Sequence, residues 1–399
     1  MGFVASSGTV SDRSQIGQLQ TPSAPRRGTL AAPMPRVGVV GAGISGLLCA
    51  QRLLVAAPGL SVTVFEWGRG PGGRTARRRV SLADGGEVSF DHATPFFTAS
   101  SPDFGALLRE WELAGAAVRW PEAGNDAWVG SPSNHAPCRL LSEQVAAHAG
   151  GELRYGRHVR AARHDAASGE WVVRATNRAD GADEEHRFDA LVLSDKLLLL
   201  PNPYAILPPD EWGPLALPRS LASSGTVVLM LALERDPTTA AAPASAAVLR
   251  PPALPAPLTL LVRDSSKPGR LPRDGVELWV AHTTAEYAAA HLRGDDPPDL
   301  DDPPAVAAEL QAAALAAIAA GDEGSCAAPR VLHAQAFAWD HAQPTRESTL
   351  AASHLLDGAR RVGVCGDFFG GADGDRRGVE AAALSGVALA QAMAALLGA

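Results

Sequence analysis

The chain has 399 residues, enough for two or three hydrophobic cores. Hydrophobic residues make up 46% and charged residues 20%, the mix expected of a globular protein rather than a disordered or fibrous one. A formal net charge of -8 supplies no global basic field, so no nucleic-acid partner is expected.

Residues 1–35 are rich in Ser, Thr, Pro and Gly, carry Arg13, Arg26 and Arg27, and hold a single acid, Asp12. This composition suits an organelle transit peptide, with a plain disordered tail as the alternative. A strand is expected over 36–43, a helix over 44–57 and a second strand over 61–66, which together make a βαβ-type opening. A strand over 86–97 and a helix over 103–116 follow. Next come a helix over 141–150, a hairpin or meander over 152–176 and a buried-type strand over 187–195. The region 201–304 is broken by prolines but holds strand candidates at 225–233 and 276–284. Its Pro/Ala segment, 236–257, reads as a surface loop or insertion. An Ala-rich helix over 305–320, a strand over 330–339 and a strand–loop–helix unit over 361–397 complete the chain. Cys49, Cys138, Cys326 and Cys365 lack metal-site spacing and read as reduced thiols, so no metal is expected. No apolar run reaches about 18 residues, so no integral membrane segment is expected.

The sharpest motif is "GAGISG", which sets Gly41, Gly43 and Gly46 between a strand and a helix. Gly41 permits the tight turn, Gly43 lets backbone approach a pyrophosphate, and Gly46 allows close helix–strand packing. The helix N-terminus, with Ile44 and Ser45, then offers unpaired N–H groups and a positive dipole. Glu66 ends the second strand 23 residues after Gly43, placed to accept from ribose hydroxyls and to repel a 2′-phosphate. The competing reading is a glycine-rich structural turn.

A second cluster, "GPGGRT", follows that acid and adds the N–H groups of Gly72 and Gly73 and the guanidinium of Arg74. A plain NAD dehydrogenase does not need it; an FAD site does, along the pyrophosphate and flavin. Near the other end, Gly366 and Asp367 close a strand, where Asp367 would accept from a ribityl hydroxyl or hold N–H groups near the phosphates. The helix from Gly378 and Val379 would aim its N-terminus at a flavin carbonyl.

"GGR" after the ribose acid resembles the flavin amine oxidase superfamily. "FDHATPFFTASSPDFGALLREWELAGAAVRW", "LWVAHTTAEYAAAHL", "FAWDHAQP" and "GVEAAALSG" are similar to segments of renalase-like FAD oxidoreductases, and the likeness spans 36–399 save the Pro/Ala insertion. "ALVLSDK" resembles the plant and algal branch, whose members are plastid proteins. This implies a chloroplast location, with mitochondrion or cytoplasm as alternatives. The resemblance implies an α/β fold in which a Rossmann-like FAD-binding domain (36–97, 135–197 and 360–399) interleaves with an α+β substrate domain on a mixed sheet (98–134 and 198–359). It adds Val159 to the cofactor site and implies hydride transfer from a small reduced substrate, an amine or a dihydronicotinamide-like NAD(P)H-type donor. Oxygen or another acceptor would then reoxidise the flavin.

The chain departs from the family in two places. Ala93-Thr94-Pro95 stands where Gly-Ala-Gln is usual, and Trp339-Asp340-His341-Ala342 where Trp-Arg-Tyr-Ala is usual. Both stretches should flank the flavin, so the changes bear on the usual substrate, an isomeric dihydronicotinamide. His92, Trp339 and His341 are the catalytic candidates. Phe96, Trp339 and His341 are expected near one another and near Phe368. A structural histidine and a core tryptophan are the plainer readings. Lys196 and Lys267, the chain's two lysines, sit in no matching motif. Two other readings are an isoprenoid desaturase or isomerase and a non-catalytic FAD-bound assembly factor.

Overall fold

The first strand, Arg36–Val40, is buried along all but its first residue, and it lies at the centre of a six-stranded sheet. It pairs in parallel with Ser61–Glu66 on one side and Ala190–Leu193 on the other. Gly151–Tyr155 and Val362–Val364 extend the sheet in parallel, and Leu355–Asp357 adds an antiparallel edge. Strands buried on both faces read as continuous apolar runs, and Ala190–Leu193 at the centre of the sheet does. The pleat divides them. Val37, Val39, Val62 and Val64 face one core, built with helices α1 (Ile44–Ala56), α2 (Pro102–Leu113), α3 (Ala136–Ala147) and, at the end of the chain, Gly378–Leu396. Val40, Phe65, Leu191 and Leu193 face a second core, capped by the antiparallel meander Arg157–Asp165, Glu170–Asn177 and Asp183–Phe188. This computed structural model describes residues 2, 34–208, 213–215, 217, 221–234, 247–270, 273–294, 299–320, 329–372 and 374–398. The transit-peptide expectation, Cys326 and the first half of the Pro/Ala segment fall outside them.

A five-stranded sheet of order Val248–Leu249, Leu258–Arg263, Val276–Thr283, Ser223–Glu234, Val331–Pro344 is antiparallel throughout; the mixed sheet is the six-stranded one. Along Ser223–Glu234, Val227, Leu229, Leu231 and Leu233 face α4 (Ala285–His291) and α5 (Pro303–Ala320). Val228, Met230 and Ala232 face the hairpin of Arg78–Ser81 and Glu87–Phe90. The period of two is that of a sheet covered on both sides.

Three expectations change. The strand expected over 86–97 stops at Phe90, and the segment that follows pairs with no strand until Phe97–Thr98. The hairpin expected over 152–176 is split, its first strand joining the parallel sheet because Glu66 pairs with Tyr155. The last strand of 187–195 divides at Asp189 between the meander and the large sheet.

Two helices are long and apolar enough to cross a membrane by length and composition alone, a test that core helices of globular proteins also meet. One is α5, whose Val306, Leu310, Ala314 and Ala317 pack on the five-stranded sheet; the other is α6 (Gly378–Leu396), a core helix against α1.

Candidate functional site

At the carboxyl edge of the parallel sheet the chain turns sharply at Gly41, φ +102°, where a Cβ would strike Ser194 Oγ at 2.2 Å. The Gly41 N–H donates to Phe65 O at 2.8 Å, tying the loop to the second strand. At Gly46 a Cβ would stand 2.1 Å from Gly41 O, so glycine sets how closely α1 approaches the loop. Gly43 caps α1 without a side-chain hydrogen bond, and nothing lies within 4 Å of where its Cβ would be. The first-turn N–H groups, those of Ile44 and Ser45 among them, have no partner within the helix. Ser45 contributes backbone alone, because its hydroxyl donates to Ser194 O at 3.1 Å.

Glu66 reaches back to this loop. It accepts from the Ala42 N–H at 2.9 Å and from the Gly68 N–H at 2.6 Å. Burial raises its pKa, and the two N–H groups pull the other way. Beside it, Trp67 stacks on His158, ring centroids 4.3 Å apart, with the Arg178 guanidinium 5.7 Å from the Trp67 ring. That stack was not read from the sequence; an aromatic residue after the ribose acid was its only signal. Val159, the next residue after His158, sits in the core around Phe65, paired with Ala175 at an irregularity in the meander.

The second glycine cluster docks on the first. Gly72 N–H donates to Ala42 O at 2.9 Å, and a Cβ on Gly73 would lie 3.5 Å from Gly43 Cα. Arg74 was read as a phosphate donor. In the structure its guanidinium binds Asp367 through both arms, at 2.6 and 2.9 Å, and also reaches Ala342 O at 3.1 Å and Asp195 at 3.4 Å. Burial works against its charge, but Asp367 and Asp195 outweigh it and raise the pKa. The Gly366 N–H donates to Ser385 Oγ at 3.1 Å, fixing the turn before Asp367 to α6. Gly378 opens α6 with no side-chain cap, and Val379 is buried just behind it. The nearby acid, Glu380, is engaged by Ser100 and Ser101. A cleft of about 530 Å³ adjoins this helix start, lined by Ser224, Gln343, Pro344, Thr345, Asp375 and Arg377.

Of the three catalytic candidates, His92 and Trp339 meet. Their ring centroids are 5.3 Å apart, and Phe337 lies 5.3 Å from His92. His92 Nδ1 and Trp339 Nε1 are buried with no hydrogen-bond partner among the described residues. Burial, with Arg78 and His282 adding to it, pushes the His92 pKa down to about 4. His341 lies two residues along the same strand. Its Nε2 is 3.3 Å from Asp340, its Nδ1 is unpartnered, and it lines a separate cleft of about 240 Å³ with Tyr204, Leu292 and Arg293.

The wider gathering of aromatics is not found. Phe96 packs edge-on to Trp120 at 5.9 Å beneath Arg250, and Phe368 packs against Phe369 at 4.4 Å. Each completes a different apolar cluster, Phe368 in the core under the meander and Phe96 with Val129 and Val262. Lys196 donates to Ala222 O at 2.9 Å. Lys267, which sat in no motif, is fully buried in a charged cluster next to His92. Among the described residues no group of three or more His, Cys, Asp or Glu could hold a metal.

Residues 39–111 match the family model of the NAD(P)-binding Rossmann-like domain. The whole chain is similar in fold to a protein assigned by name as a protoporphyrinogen oxidase from Exiguobacterium, with 12% identity, a TM-score of 0.59 and coverage of 90% of this chain and 99% of that one. It is also similar to an oxidoreductase from Methanosarcina mazei, with 14% identity, a TM-score of 0.54 and coverage of 89% and 100%. These likenesses show a shared fold over about nine tenths of this chain.

Proposed function

We propose that this chain is an FAD-dependent oxidoreductase of the renalase-like, flavin amine oxidase type, acting on a small reduced substrate. One observation carries the reading: two uncapped helix N-termini, α1 and α6, follow parallel strands at the same edge of the sheet, beside the Glu66 carboxylate. Such an edge is where α/β sheets take nucleotides. The open space before Gly43 and the unpartnered nitrogens of His92 and Trp339 fit an extended cofactor and a ligand above it. The names borne by the proteins of similar fold agree with an oxidoreductase.

When bound, FAD would supply the hydride acceptor. The first-turn N–H groups of Ile44 and Ser45 would hold its pyrophosphate, Glu66 its ribose, and the start of α6 at Gly378 and Val379 its flavin carbonyl. Arg74 and Asp367 contribute by joining the first and last segments of the site. Trp339 and Phe337 offer aromatic surface to orient a flat substrate. His92, neutral at physiological pH, can accept a hydrogen bond or a proton at Nδ1 as the substrate is oxidised. The reading includes a plastid location and an organelle-targeting role for the first 35 residues.

The test is anaerobic mixing of the purified protein with reduced nicotinamides, amines and reduced isoprenoids while the flavin absorbance is followed. Bleaching by a reduced nicotinamide or an amine supports the proposal. Bleaching by an isoprenoid alone, or by no donor, overturns its substrate class or its catalytic role.

A further inference from the structure

After Phe90 the chain carries His92 across a segment with no strand partner, so its backbone must be held by other means. Side chains from three separate elements do this. Asp264 accepts from the Asp91 N–H at 3.3 Å, His282 Nε2 lies 2.9 Å from His92 O, and Asn134 Nδ2 donates to Thr94 O at 2.6 Å. Asn134 also gives its own N–H to Asp91 Oδ1 at 3.0 Å and accepts from the Gly130 N–H at 2.7 Å.

Behind these contacts lies a buried cluster of two acids and two bases. Lys267 Nζ lies 3.0 Å from Asp91 Oδ2 and pairs with Asp264. Arg270 pairs with the same Asp91 oxygen and donates to Gly130 O at 2.6 Å. The side chains of Asp91, Asp264 and Lys267 are at most 2% exposed, and that of Arg270 9%. Lys267 and Arg270 overcome the burial of Asp91 and keep its carboxyl below the usual range. A buried ion cluster is poor value for stability, since apolar residues of similar volume serve as well or better. What it supplies here is geometry at one residue: the pairs fix Asp91, and the backbone contacts fix the residues on either side of the His92 side chain.

We propose that Asp91, Asp264, Lys267 and Arg270 are positioning residues for His92, clamping its backbone so that the ring stands against Trp339 with Nδ1 turned to a ligand. The flavin reading supplies only the identity of that ligand; the clamp stands on the contacts themselves. Nδ1 has no partner, so with the ring proton on Nε2 it stands as a bare acceptor. Trp339 Nε1–H is an unpartnered donor on the adjacent ring. The two nitrogens together suit a polar group that presents both a donor and an acceptor.

The test is nitrogen-15 NMR of histidine-labelled full-length protein, with the His92 signals identified by their loss in His92→Gln. The wild type should show one fixed tautomer, protonated at Nε2, unchanged from pH 6 to 8. The double variant Asp264→Leu, Lys267→Met removes a buried pair without leaving a lone charge. It should stay folded while the His92 signals move to tautomer-averaged positions and the remaining histidine signals hold. If it does not fold, Lys267→Arg is read in the same way, because a planar guanidinium cannot replace a point charge between two carboxylates. A wild-type His92 that already averages between tautomers, or signals left unmoved in a folded variant, overturns the proposal. Flavin content is assayed on the same samples. Colourless protein with a fixed His92 defeats the oxidoreductase reading and leaves the clamp; yellow protein with an averaging His92 does the reverse.

Discussion

Arg74 grips Asp367 through both arms of its guanidinium, Nη1 to Oδ2 at 2.6 Å and Nη2 to Oδ1 at 2.9 Å, across 293 residues of chain. The pair joins the second glycine cluster to the turn that precedes α6. The Asp367 side chain is only 8% exposed, so removing its partner would leave a charge in poor solvent. Arg74→Met should cost roughly 3 kcal/mol, and Arg74→Lys less, since it keeps the charge and loses the fork. Urea unfolding of the three proteins checks this; equal midpoints would mean that the pair holds nothing together.

Gly46→Ala should press a methyl group against Gly41 O, 2.1 Å from the ideal Cβ position. Gly41 O is backbone and cannot swing aside, so α1 must lift from its loop. The expected cost is about 1–3 kcal/mol, with weakened cofactor retention. Gly59→Ala is the control, because its Cβ would meet nothing within 4 Å. Thermal unfolding of the two variants should separate them.

Two buried histidines shape the acid limb of stability. His92 and His282 are both pushed down to about 4, in each case first by burial. The unfolded chain takes up their protons near pH 6.5, and the folded protein does not until about pH 4. Stability should therefore be complete above pH 6.5 and fall as the pH drops through that window. His92, 5% exposed, alone accounts for on the order of 3 kcal/mol. His92→Gln should flatten the slope of unfolding free energy between pH 6.5 and 4; an unchanged slope would show that His92 protonates freely in the folded state.

Glu66→Ala should remove the acceptor for the Ala42 and Gly68 N–H groups along with the ribose contact. FAD affinity should fall about 10- to 100-fold, the worth of one or two hydrogen bonds to a charged group. Glu66→Gln should fall between this variant and the wild type. Flavin fluorescence during dilution gives the measurement, and full retention of FAD by Glu66→Ala would remove Glu66 from the cofactor site.

The glycine-rich edge of the parallel sheet was legible because its signals are local. Glycine spacing, an apolar run that stops at Glu66 and the turn at Gly366 each specify a short piece of backbone, and Ser61–Glu66 matched residue for residue. The grouping of aromatic and histidine side chains expected around His92 and Trp339 was legible only in part. His92 and Trp339 met, their ring centroids 5.3 Å apart, although His92 lies in a segment outside any strand. Phe96 and Phe368 did not, because an aromatic side chain goes to whichever apolar cluster its strand face adjoins, and that depends on tertiary packing. Lys267 carried no motif at all. Its role rests on Asp91, 176 residues earlier in the chain, and no periodicity records such a pair. Arg74 was read as a phosphate donor, whereas its guanidinium is held by Asp367, since a guanidinium serves a carboxylate as readily as a phosphate.

The central claim is that the carboxyl edge of the parallel sheet holds FAD. The most direct measurement is denaturing extraction of the purified, folded chain, followed by chromatography of the released small molecules. About one FAD per chain, with neither FMN nor NADP, is the predicted result. Folded protein that releases no flavin, and takes none up on incubation with FAD, would contradict the account.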